Sequence, residues 1–278
     1  MAAIALALGS SLVWGCADFM GGVFSRRLPL AAVTVVSQSA GFAVLIVWLA
    51  GTGFALDGRA FGLGCLAGVG GAIGLAAFYR ALAVGTMSIV SPVTACGALV
   101  PFTLALATGE SPSGLVIGGA VVALAGAVLA SAEEHRAGDA GRRRGALLAI
   151  VAAIAIGLFV YFLGLAGRDG ETLSTLVGAR VGSLTLLLAA AGATRSSLRV
   201  DRASLPAVAA VGVLDTTANC LFVLASARGY LSIVSVLGSL YPVVTVLAAQ
   251  LLLGERVSRI QLGGVALALA GVAVVASG

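Results

Sequence analysis

The sequence predicts an all-α, polytopic membrane protein of ten transmembrane helices, arranged as two inverted five-helix repeats. Three observations carry that expectation. Of the 278 residues, 60% are hydrophobic and only 10% are charged, with a mean hydropathy of +1.14, whereas soluble domains hold roughly 25% charged residues. The chain reads as ten apolar runs divided by short connections. Its two halves also repeat each other's motifs.

A run of about 20 apolar residues is long enough to cross a bilayer as a helix. Such runs are expected at 3–24, 30–50, 60–84, 88–108, 113–131, 145–165, 172–192, 205–225, 231–253 and 260–277. The first lacks a basic leader and reads as a membrane helix rather than a signal peptide. Pro29 and Pro112 fall near the first turns of their helices, where a missing N–H costs little. The polar segment 132–144 separates a first repeat, 1–131, from a second, 145–278. Pro92 and Pro101 in the fourth span and Pro242 in the ninth each remove a backbone hydrogen bond and can kink the helix.

The repeat shows in two places. "GTMSIVS" (85–91) returns as "GYLSIVS" (229–235), and "GESPSGLVIGGAVVALAG" (109–126) as "GERVSRIQLGGVALALAG" (254–271). Gly109 and Gly254, Glu110 and Glu255, Ser113 and Ser258, and the glycine pairs 118–119 and 263–264 coincide. Five spans per half is an odd number, so the second half enters the membrane from the opposite side. Inverted repeats about an axis in the membrane plane mark transporters, with the substrate site near the midplane between the halves.

Other chemistries lack their residues. All sixteen basic residues are arginine, so no lysine exists for a P-loop or a Schiff base. The single histidine, His135, lies in the polar segment, which leaves no zinc site. Cys16, Cys65, Cys96 and Cys220 sit in apolar runs without CxxC spacing and read as small hydrophobes. No metal, cofactor or catalytic site is expected. The scattered arginines do not form a nucleic-acid face.

"WG" at 14–15, "YRALAVG" at 79–85, the proline and "GE" of the fourth span, "YP" at 241–242, "LLLGERVS" (251–258) and "LGGVALALAG" (262–271) together resemble the EamA family of the drug/metabolite transporter superfamily. The resemblance covers the whole chain as two repeats, except that the sixth span keeps only Gly157 and no tryptophan. It implies a ten-helix secondary permease or exporter of the bacterial inner membrane, carrying small organic solutes by alternating access. It also implies cytoplasmic termini. In related small transporters the last helix mediates dimerisation, which makes a homodimer compatible with the glycine faces of the fifth and tenth spans.

Charged groups deep in a bilayer face a cavity or a partner, since each costs about 2.5–3.5 kcal/mol at a helix centre. Asp18, Arg180 and Asp215 are of that kind, and the polar Asn219 is equally hard to explain as facing lipid. Asp18 stands about 12 Å inside the boundary marked by Arg26, at ~1.5 Å per residue. Trp14 and Ser11 share its helix face. A carboxylate beside an aromatic wall suits a cationic or amino-bearing solute. Asp18 with Arg180 would suit a zwitterion such as an amino acid. On antiparallel neighbouring helices, Arg180 and Asp215 are expected to meet near the midplane, either as a self-neutralising structural pair or as cavity lining, with Asn219 one turn beyond. Gln38 is the counterpart of Arg180 by the offset that pairs Gly15 with Gly157. Tyr79, Ser91, Thr94 and Tyr241 are further cavity candidates, against the alternative that their hydroxyls are satisfied within the core. Glu110 and Glu255 read as charges that stop their spans at the interface.

Loops after odd-numbered spans carry twelve of the sixteen arginines and those after even-numbered spans three. The positive-inside rule then puts the termini outside, against the resemblance. A channel, a lipid-modifying enzyme built on Asp18 and Asp215, and an assembly subunit without transport are the alternatives to a carrier.

Overall fold

The computed structural model describes residues 1–25, 27–52, 55–84, 93–130, 142–253 and 258–277. Among the described residues all regular structure is helical: α1 (Ala2–Ser25), α2 (Leu30–Thr52), α3 (Gly58–Val84), α4 (Val93–Ala107), α5 (Gly114–Ala130), α6 (Arg142–Gly167), α7 (Thr172–Ala193), α8 (Leu205–Ser226), α9 (Leu231–Gly238), α10 (Tyr241–Leu253) and α11 (Arg259–Ser277). In lipid every backbone group must find its partner inside the protein, and helices achieve this within one segment. Polar residues mark the ends. Asp57 Oδ1 accepts the Ala60 N–H at 2.7 Å to start α3, and Asp201 Oδ1 accepts the Ser204 N–H at 2.8 Å before α8. Gly109 after α4 and Gly170 after α6 turn the chain with positive φ, +103° and +83°.

Among the described residues seven helices are long and apolar enough to cross a membrane, namely α1, α2, the 58–78 part of α3, the 145–167 part of α6, α7, α8 and α11. The fourth, fifth and ninth expected spans are shorter apolar helices among the described residues. The ninth departs from expectation most. It is not one helix over 231–253 but two, broken at Ser239 and Leu240, where Leu240 N–H reaches back only three residues, to Leu237, at 3.3 Å. Pro242 explains the break: it has no N–H for the Gly238 carbonyl, and its ring excludes the continuing turn. In α4 the same stress appears as a 3₁₀ turn at Cys96–Ala98, just before Pro101.

Most packing is between the halves. α1 lies antiparallel on α8, with Ser10 Oγ on the Ala218 carbonyl at 2.8 Å and Gly21 facing Val211. α6 packs correspondingly on α3, where Gly74 approaches the Ile156 backbone. α7 runs along α3, and α2 along α8, both parallel. α5 and α11 cross antiparallel, Gly119 against Gly271 and Gly126 against Gly264. Only the second glycine of each pair is used, since Gly118 and Gly263 face open space. Contrary to expectation, α7 and α8 barely touch; α2 packs against both of them. At one end of the bundle the α4–α5, α6–α7 and α8–α9 connections meet. Glu110, almost fully buried, accepts the Leu231 and Ser232 N–H groups at 2.8 and 2.9 Å and pairs with Arg168.

Candidate functional site

α1 turns one stripe toward the protein interior: Ala7, Ser11, Trp14 and Gly21 are all buried. Asp18 lies on that same stripe, one turn from Trp14, and yet is exposed. An exposed side chain in the middle of an otherwise buried stripe marks the candidate cavity. The antiparallel register, Ser10 with Ala218 and Gly21 with Val211, sets Asp18 level with Asp215 on α8. The carboxyl lies within electrostatic reach of both Asp215 and Tyr241. Tyr241 is the first residue after the break in the ninth span. Gly15 lets α10 come close enough for Thr245 Oγ1 to reach the Gly15 carbonyl at 3.3 Å.

Trp14 does not project into this space. Its ring is 8% exposed and packs on Phe222 at 5.5 Å and Phe159 at 6.4 Å between ring centroids. It buttresses the wall that carries Asp18.

Beside the cavity a polar cluster ties α2, α7 and α8 together. Arg180, with a side chain 7% exposed, donates through Nη2 to Asp215 Oδ2 at 2.6 Å and to Thr216 Oγ1 at 2.9 Å, and through Nη1 to Gln38 Oε1. Gln38 Oε1 also accepts from Ser183 Oγ at 3.2 Å. Asn219 Nδ2 donates to the Asp215 carbonyl at 2.6 Å and to Oδ2 at 3.2 Å. That fixes the amide's orientation and leaves Asn219 Oδ1 buried without a partner. Arg180 and Asp215 therefore meet as the sequence suggests. Gln38, which the sequence identifies only as Arg180's counterpart in the other half, is its direct partner.

Thr94 is buried within α4. The Tyr79 side chain and Ser91 lie outside the described residues, as does Glu255. Ser183 and Thr216 join the cluster without having been expected. The available signal was position: Ser183 stands three residues after Arg180, and Thr216 directly follows Asp215. The role of Glu110 was also missed. It does not merely end a span but binds the amino end of α9 across the halves, where the helix leaves its N–H groups unpaired. The four cysteines are free.

Residues 143–277 match the EamA-like transporter family. A crystal structure whose description assigns no activity shares the fold, with a TM-score of 0.79 and 19% identity over 98% of this chain and 96% of its own. No curated protein matches. Residues 143–277, a little under half of the chain, thus resemble the EamA-like transporter family, within the drug/metabolite transporter superfamily, and the apolar helices make the chain a multi-pass membrane protein.

Proposed function

We propose that the protein is a secondary carrier of the inner membrane that moves a small polar solute through the cavity at Asp18 by alternating access. The observation that carries this reading is the exposure of Asp18 on a stripe of α1 that is otherwise buried. A charge at that depth is retained where it faces a water-filled cavity or a substrate path. The match of residues 143–277 to a transporter family points the same way.

The halves, 1–131 and 145–278, act in this reading as inverted repeats of five spans. Their contacts support it. In the repeat register Gly15 corresponds to Gly157 and Tyr241 to Gly97. Gly15 meets Tyr241 and Val244, while Gly157 meets Gly97 and Val100. Rocking one half against the other would open the cavity to each side in turn. The break at Ser239 and Leu240 gives the wall at Tyr241 a joint for that motion. The glycine faces of α5 and α11 meet each other within the chain, so the carrier unit in this reading is the single chain.

The test is flux of labelled amino acids, amines, sugars and nucleosides in vesicles reconstituted with purified protein. Saturable flux of one class, abolished in Asp18→Asn, is the expected result. Non-saturating, ion-like flux would mean a channel, and absence of flux for every class would end the transport reading.

A further inference from the structure

A count of charges and hydrogen bonds around the cavity determines what it can hold. Among the described residues, the charged groups facing it or packed beside it are two carboxyl groups, Asp18 and Asp215, and one guanidinium, Arg180, with the Tyr241 hydroxyl close by. The Arg180 charge is matched by Asp215 at 2.6 Å, and both terminal nitrogens are engaged, on Gln38, Asp215 and Thr216. It is not free to receive a solute carboxylate. Asp18 has no hydrogen bond and no ion pair among the described residues, yet it is exposed to the cavity. Two further acceptors lack donors among the described residues. Asp215 takes its hydrogen bonds on Oδ2, leaving Oδ1 unbonded, and Asn219 Oδ1 is buried without a partner, on a residue 4% exposed. Such an orphaned acceptor is costly and calls for a donor.

Among the described residues the cavity thus carries one carboxyl, that of Asp18, without any partner, and unbonded acceptors beside it. We infer that the carrier selects solutes bearing a primary or secondary ammonium group, seated with its N–H donors on Asp18 and turned toward Asp215, and that it makes no use of a solute carboxylate. This rests on the carrier reading above and narrows its substrate class. A solute carboxylate would approach two fixed carboxylates with no available cation. An ammonium supplies the missing charge and the missing N–H groups together, in the charge-assisted form that makes the stronger bonds.

The experiment uses matched probes that differ only in charge: isoamylamine, leucine and 4-methylpentanoate, with the corresponding trios based on ethylamine and phenethylamine to cover size. Each is titrated into the purified protein while the thermal unfolding midpoint is followed, because a ligand of the native state raises it by mass action. The expected result is a concentration-dependent rise with an amine of at least one size, none with its carboxylate, and a rise with the amino acid no greater than with the amine. In Asp18→Asn, and in Asp18→Ser as a second removal of the charge, the apparent Kd for the amine rises about tenfold or more, as loss of a charge-assisted hydrogen bond implies. A rise produced only by carboxylates or only by amino acids overturns the inference. So does an amine response that survives both substitutions, or no amine response at any size.

Vesicle flux with the same probes separates this failure from failure of the carrier reading. Saturable, Asp18-dependent flux of a sugar or an amino acid with no amine transport leaves the carrier standing and removes the ammonium inference. Amine binding without flux of any probe does the reverse.

Discussion

Arg180 donates a hydrogen bond to Gln38, 142 positions earlier in the chain, and so ties α7 to α2. The same guanidinium holds Asp215 on α8, with a side chain 27% exposed against 7% for Arg180 itself. Removing one member of a buried pair leaves an uncompensated charge and costs about 3–5 kcal/mol, whereas replacing both with apolar residues is often neutral. Arg180→Met is therefore expected to lower stability by about 3 kcal/mol or more, and Arg180→Met combined with Asp215→Leu by clearly less. Denaturation of the purified variants in detergent checks this. Additive losses would mean that the two side chains do not interact.

The close parallel crossing of α3 and α7 depends on Gly68. A Cβ there would meet the Ala179 carbonyl and stand 2.7 Å from the Ser183 nitrogen, both backbone atoms that cannot rotate away. Gly68→Ala should separate the helices and cost about 1–3 kcal/mol, the range for overpacking. Gly118 has nothing within 4 Å, so Gly118→Ala should be neutral or stabilising by up to about 1 kcal/mol, from the usual helical preference of alanine. Paired unfolding curves of the two variants decide the matter.

Glu110 links the halves at one end of the bundle. Its side chain, 8% exposed, accepts two N–H groups at the start of α9 and pairs with Arg168. Glu110→Ala should release those amides and cost about 1–3 kcal/mol for the groups left unsatisfied. Hydrogen exchange at Leu231 and Ser232 should rise with it. The pair of Arg59 and Asp169, at 3.2 Å but with side chains 71% and 66% exposed, is the contrast: Arg59→Ala should change stability by no more than about 1 kcal/mol.

The start of α8 should respond to acid. The Ser204 N–H, bonded to Asp201 Oδ1, holds that carboxyl below the usual carboxylate range. A group with a lowered folded-state pKa stabilises the fold above its ordinary range and loses that contribution as pH falls through it. Exchange of the Ser204 amide, corrected for intrinsic rate, should therefore accelerate as pH drops below the ordinary aspartate range. Asp201→Asn should remove that pH dependence.

Helix positions were legible because lipid demands long apolar runs, and Asp18 and Arg180 were legible because a charge within such a run needs a reason. The break at Ser239 and Leu240 was harder to read. Pro242 announces a kink, but only the lost bond to Gly238 shows that the helix ends and restarts. The partners of Arg180 were half legible. Asp215 was the only acid in the adjacent span, whereas Gln38 becomes a partner only when the halves fold onto each other. Long-range pairing of that kind leaves no local pattern. Glu110 illustrates the same limit, since a glutamate at a span end looks like a simple stop until α9 is brought to it from 121 residues away.

Asp18 and Asp215 should respond differently to loss of charge, although both are aspartates near the same cavity. Asp18 is exposed and makes no hydrogen bond among the described residues, so nothing in the fold relies on its carboxylate. Asp215 neutralises Arg180 and accepts from Asn219. Asp18→Asn should leave the unfolding midpoint unchanged or raised, because it removes a charge within reach of Asp215, while abolishing solute flux. Asp215→Asn should lower the midpoint and the flux together, by about 3 kcal/mol if the pair behaves as a buried one. Measuring both quantities on both variants separates a residue that serves the solute from one that serves the structure. Equal destabilisation by the two substitutions would place Asp18 in the fold and move the search for the binding group to another residue.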